Sequence, residues 1–208
     1  MIGLALGVVA LGFLAAGEPA QATVIMTVEQ VGSNVVATGN GTIDLTDLTP
    51  SSGKGYISTT SGLGPSVGFI DTGPTTSVYI DGYSGFTGPT SFGSGGGYTD
   101  ASSGSGDSVV IIGSSGTFGM PLLWVPSGYV SGSSLSDTST YDDATFASLG
   151  VTPGTYTWTW GSGTDADSFV LHIEAPATVP EPASLLLFGT GIALLGFGLI
   201  RRRRAMLK

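Results

Sequence analysis

The sequence predicts an all-β protein. A single antiparallel β-sandwich or jelly-roll-like domain spans residues 23–178, with an N-terminal signal helix before it and a C-terminal transmembrane helix after it. Three observations carry this. Glycine supplies 35 of the 208 residues, a content that disfavours helix throughout. No stretch of residues 23–178 sustains an apolar period of 3.6 residues. Short β-branched and aromatic runs instead recur between clusters of Gly, Ser and Pro, where the chain must turn.

The first run, residues 24–31, places Val24, Met26 and Val28 on one face. Gly32-Ser33-Asn34 turns the chain into a second strand over 35–38. Asn40-Gly41 then reads as a further turn, leading to a strand at 42–45 and completing a β-meander. Further strands are expected at 56–59, 67–70, 77–80, 108–112 and 122–125, the regular spacing of a sandwich. Residues 82–106 are rich in Gly and Ser, with Phe86, Phe92 and Tyr98 interspersed, and are expected to form a long loop or irregular edge. The clearest hairpin comes last. After the turn signal Pro153-Gly154, Tyr156, Trp158 and Trp160 alternate with Thr155, Thr157 and Thr159. A loop at 161–167 returns the chain to 168–174, where Phe169, Leu171 and Ile173 alternate with Val170 and His172. Six large side chains thus share one face and should close the core.

Charge narrows the function classes. Thirteen of the fifteen acids lie within 23–178, against one basic residue, Lys54, so this segment repels phosphate backbones and no nucleic-acid partner is expected. Cysteine is absent, which removes disulfides, thiol nucleophiles and thiolate metal sites; the core must hold the domain together by itself. His172 is the only histidine, so histidine-cluster zinc sites are unavailable.

Several catalytic-looking strings have simpler explanations. Gly64-Pro65-Ser66-Val67-Gly68 matches the nucleophile-elbow pattern, but that elbow needs a strand, a turn and a helix in an α/β sheet, and no helix is expected here. Asp71-Thr72-Gly73 matches the aspartic-protease triplet, but it occurs once and reads as a strand entering a turn. Asp165-Ala166-Asp167 and Asp142-Asp143 offer oxygens to Ca²⁺ but fall short of six to eight ligands, so no metal or cofactor is expected. Asn40-Gly41-Thr42 is a glycosylation sequon that an Asn-Gly turn explains equally well. The expectation is a protein that is not an enzyme.

The two ends carry more information. Residues 2–16 are apolar, and Ala20-Gln21-Ala22 after Pro19 supplies the small-residue site of a signal peptide spanning 1–22, with cleavage releasing Thr23. No lysine or arginine precedes the apolar stretch, which departs from the usual signal-peptide pattern. At the other end, Val179, Pro180, Glu181 and Pro182 precede eighteen uncharged residues, 183–200, and then Arg201, Arg202, Arg203 and Arg204. As a helix the uncharged run would rise about 27 Å, close to the thickness of a bilayer's hydrocarbon core. Four arginines do not cross cheaply, so they mark a cytoplasmic stop. The prolines flanking Glu181 disfavour helix, which leaves that motif extended and open to a protease.

A short Pro-Glu-Pro, a hydrophobic helix and an arginine cluster in this order resemble the PEP-CTERM protein-sorting signal of Gram-negative bacteria. The resemblance implies a tail, 179–208, recognised at Val179, Pro180, Glu181 and Pro182 by an exosortase, a membrane-embedded processing enzyme. It implies transient anchoring in the inner membrane with the C-terminus cytoplasmic, then release to the cell surface or extracellular matrix. Residues 91–97, 125–132 and 149–163 also resemble segments of PEP-CTERM proteins of unknown function. The expected function is therefore an exported, non-enzymatic surface or matrix protein. The alternative is a carbohydrate-binding or adhesive module acting on exopolysaccharide, with Tyr83, Phe92, Tyr98 and Tyr129 stacking on sugar rings.

Overall fold

The computed structural model describes residues 23–58, 60–95, 97–114 and 119–175. The predicted signal peptide, sorting motif, membrane run and arginine cluster lie outside them. The chain divides into two units, Met1–Ala175 and Pro176–Lys208, and the described residues all belong to the first. Among the described residues no helix is long and apolar enough to cross a membrane.

The elements in chain order are β1 (Thr23–Val31), β2 (Asn34–Thr42), β3 (Thr49–Ser58), β4 (Gly62–Gly64), β5 (Phe69–Thr72), β6 (Val78–Ser84), β7 (Thr99–Asp100), β8 (Ser103–Gly106), β9 (Val109–Ile112), β10 (Leu122–Pro126), β11 (Ser134–Tyr141), α1 (Phe146–Leu149), β12 (Gly154–Trp160) and β13 (Asp167–Ile173). They form two sheets, one in the order β12-β13-β1-β2-β11-β8 and the other β3-β6-β10-β9-β5-β4-β7. Alternation does the placing. Val24, Met26 and Val28 of β1, Trp158 and Trp160 of β12, and Phe169, Leu171 and Ile173 of β13 turn inward to meet Leu63, Ile70, Val109, Ile111, Leu123 and Val125 of the second sheet. Both sheets thus share one core, as in a β-sandwich.

The second sheet also curls. Ser58, at the end of β3, donates a hydrogen bond of 2.7 Å to Asp71 Oδ2 on β5. In the ladder three strands separate β3 from β5, a spacing of about 19 Å if the sheet were flat. Register shifts in β3 between Pro50 and Lys54 and between Lys54 and Tyr56 supply bends of the kind that such rolling requires. The face turned away from the main core becomes a hollow that buries Ile80, Val110, Ile112, Leu122 and Trp124.

Several expectations need correction. Asn40-Gly41 is not a turn: β2 runs on through Thr42, and residues 43–45 form no strand. Gly41, at φ 139°, lies against the Thr23 carbonyl where a β-carbon would collide, so the glycine serves close strand approach. The expected strand at 67–70 begins only at Phe69, because Pro65–Val67 is a 3-10 turn ended by a left-handed Gly68. The domain is not wholly antiparallel, since β1 and β13 pair in parallel from Thr23↔Ser168 to Val28↔Ile173. Residues 82–106 are not one loop. They contain the end of β6, all of β7 and β8, and a segment pinned by bridges Thr87↔Thr159 and Gly93↔Val151, with Phe86 and Phe92 in the core.

Candidate functional site

The sandwich buries Asp71, which the sequence puts on a strand entering a turn, and Asp137, which the sequence leaves unplaced. Asp71 belongs to the hollow side of β5, where Ser58 and Ser108 donate to its oxygens at 2.7 and 3.5 Å. Burial pushes its pKa up to about 7, against the opposing effect of the two hydroxyls, and the charge of Asp137 adds to the rise. Asp137 projects from β11 into the main core, on the same face as Leu135, Ser139 and Tyr141. Burial raises its pKa to about 6, opposed by the Thr72 hydroxyl and the Gly39 amide and reinforced by the charge of Asp107. Its Oδ1 makes no hydrogen bond among the described residues.

These carboxyls are not an aspartic-protease dyad. Asp71 and Thr72 are neighbours on β5 and point to opposite sides: Asp71 into the hollow, Thr72 into the core, where its hydroxyl meets Met26 Sδ at 3.1 Å. Asp137 shares Thr72's side, so β5 itself separates the two acids. The elbow pattern fares no better in space. Ser66 is exposed on the 3-10 turn of the second sheet, and His172 of the first sheet uses Nδ1 to meet Thr155 Oγ1 at 2.9 Å.

Of the acids considered for Ca²⁺, Asp142 and Asp167 have their carboxylates bonded within the fold, while Asp143 and Asp165 are exposed. Asp167 turns inward and accepts from the amides of Asp44 at 2.6 Å and Ser168 at 2.5 Å. Burial lifts its pKa to about 6 against those bonds. Asp142 accepts from Asn34 Nδ2 at 3.0 Å, and Asp143 takes the left-handed backbone at φ 50°. Among the described residues no group of three or more acids or histidines is placed to hold a metal.

Of the four rings considered for sugar stacking, Phe92 is 1% exposed and belongs to the core. Tyr83 packs against that core. Tyr129 is pinned through its hydroxyl, which accepts from Ile43 N at 2.9 Å and donates to Ser133 O at 2.6 Å. Tyr98 remains half exposed, with its ring on Phe69 and its hydroxyl donating to Thr60 O at 3.0 Å. The rings do not form one surface.

The ends of the domain bear on both termini of the chain. Thr23, the residue after the predicted signal-peptide site at Ala20 and Ala22, is the first residue of β1; β13 ends at Ile173, and the Glu174 amide still bonds Val28 O. Because β1 and β13 are parallel neighbours, the described chain starts at one end of the sheet and leaves from the other.

No curated protein and no solved structure matches this chain. Residues 178–204 match the family model described as the PEP-CTERM protein-sorting motif. The match takes in Val179, Pro180, Glu181, Pro182, the uncharged run and all four arginines. The chain carries a PEP-CTERM protein-sorting motif, the mark of an exported protein processed by an exosortase.

Proposed function

We propose that this is a non-enzymatic β-domain protein, held in the inner membrane by its tail with Arg201–204 in the cytoplasm, then released by an exosortase to the cell surface or matrix. The sorting motif at 178–204 carries the proposal. The limits of the sandwich support it: cleavage after Ala22 and within the tail would remove no residue of β1 or β13. The test is expression with and without exosortase, followed by intact-mass measurement. Loss of residues through Ala22 in both hosts, and of a C-terminal piece starting near Pro182 in the exosortase host only, is the expected result. A membrane-held chain with its tail intact in both hosts overturns it.

A second reading, adhesion to exopolysaccharide, is favoured by a specific observation. One broad face of the domain is poor in charge and rich in hydroxyl groups, although the domain as a whole is strongly acidic.

A further inference from the structure

The outward face of the first sheet is built of cross-strand rows. One row runs Thr155, His172, Thr27, Thr38, Thr138, Ser105 across all six strands. The next runs Thr157, Val170, Ile25, Asn40, Ser136. All of these side chains are at least partly exposed, so no described element covers them. Neighbours along a row stand about 4.8 Å apart, and adjacent rows about 6.7 Å apart. Neither row contains an acid or a lysine. The acids stand at the margins: Glu29 is one step further along β1, Glu174 follows β13, and Asp107 follows β8 with its carboxylate on the Ser136 amide at 2.9 Å.

This pattern is amphiphilic on the scale of a sugar ring. Ile25, 45% exposed, and its partner Val170 make a small apolar step in the second row, and the first row beside them carries four threonine hydroxyls. A pyranose presents a C–H face and a rim of hydroxyls, each able to donate and accept as the threonines do. Charge selects further: the acidic margins repel an anionic polymer, while the uncharged rows impose no penalty on a neutral one. A second copy of the same face would gain little, because its apolar area is small and hydroxyl pairs exchange almost evenly with water.

We propose that the outward face of the first sheet binds a neutral, hydroxyl-rich polysaccharide, with the chain lying along the rows and across the strands. It deepens the adhesive reading and does not depend on sorting. Single contacts are weak, since each hydrogen bond to the sugar replaces one to water, and affinity comes from several rows and repeated sugar units engaging together. The sheet's twist favours a single flexible chain over a flat crystal face.

Affinity electrophoresis of the full chain in a zwitterionic detergent tests this, with a soluble linear β-glucan in the gel and alginate as the anionic comparison. Retardation by the glucan and not by alginate is expected. Thr138→Glu in the centre and Thr157→Glu on the exposed edge strand should each weaken it about tenfold or more, with near-UV circular dichroism unchanged. Tyr98→Ala should leave it intact. The proposal is overturned by absence of retardation, by retardation that survives both substitutions in folded protein, or by its loss in Tyr98→Ala. A concentration-dependent dimer broken by the same substitutions, without glucan binding, would assign the face to a second copy instead.

Discussion

Gly39 of β2 stands directly across from Asp137 of β11, and a β-carbon on Gly39 would lie 2.5 Å from Asp137 Oδ2. The missing side chain is the space in which the buried carboxyl fits. Gly39→Ala should therefore destabilise the domain by about 1–3 kcal/mol, the usual cost of overpacking a core. Urea unfolding of the single and double variants checks it. The loss should shrink when Asp137→Ala is added, since residues in contact couple.

The buried acids set a direction for pH dependence. Asp71, Asp137 and Asp167 all have folded pKa values raised above 3.8, to about 7, 6 and 6. The folded state then binds protons more tightly than the unfolded chain. Their neutral forms favour the fold fully below about pH 4, and that advantage is lost as pH rises through 6 to 7. Asp71→Asn, which keeps a group able to accept from Ser58, should raise the melting temperature at pH 8 relative to the parent. It should change it little at pH 4.5. An equal effect at both values would contradict the assignment.

Trp158 anchors the last hairpin to the loop segment 85–95. It is fully buried, donates from Nε1 to Pro89 O at 2.9 Å and meets Phe169 edge-on at a centroid distance of 5.6 Å. Trp158→Ala should cost about 3–5 kcal/mol. A β-carbon on Gly113 would collide with the Pro89 carbonyl that accepts this bond and come 2.8 Å from the same Nε1, so Gly113→Ala should destabilise the fold too, through crowding at the Trp158–Pro89 hydrogen bond rather than a cavity. Tryptophan fluorescence during urea unfolding separates the two: only the alanine at 158 removes an emitter.

The proposed sorting role assigns separate jobs to two parts of the tail, the motif at 180–182 and the arginines at 201–204. Glu181→Ala should leave the chain membrane-held and uncut in a host that contains exosortase. Replacing Arg201–204 by serine should weaken the cytoplasmic stop and misplace the tail, visible as access of externally added protease to the C-terminus. Each is read by fractionation and mass.

The β12–β13 hairpin is legible in the sequence because large apolar residues alternate with threonine in one strand and with Ser168, Val170 and His172 in the other. β11 is not, although it occupies an inner place in the sheet. Its inward face carries Leu135, Asp137, Ser139 and Tyr141, so polar residues stand where a hydrophobic pattern is sought. Reading Leu135 and Tyr141 as the two ends of a period-2 run would have put Asp137 inside. Asn40-Gly41 misleads for the opposite reason: the pair has turn chemistry, but the glycine answers a tertiary contact with Thr23 that no local rule contains. The sorting tail is legible because bilayer thickness and charge act on composition alone, without help from distant residues.

The parallel pairing of β1 with β13 makes assembly a matter of sequence in time. A chain threaded through a membrane from its N-terminus presents Thr23 first, yet the strand that completes β1's ladder includes Ser168, 145 positions later. Until then β1 has β2 on one side and an open edge on the other, and the core lacks Trp158, Trp160 and Phe169. Val179 follows that last strand almost at once. A tail that halts in the bilayer would thus keep the newly emerged chain tethered at the interval when its final strand is docking, and a cut made afterwards would release a sheet already closed.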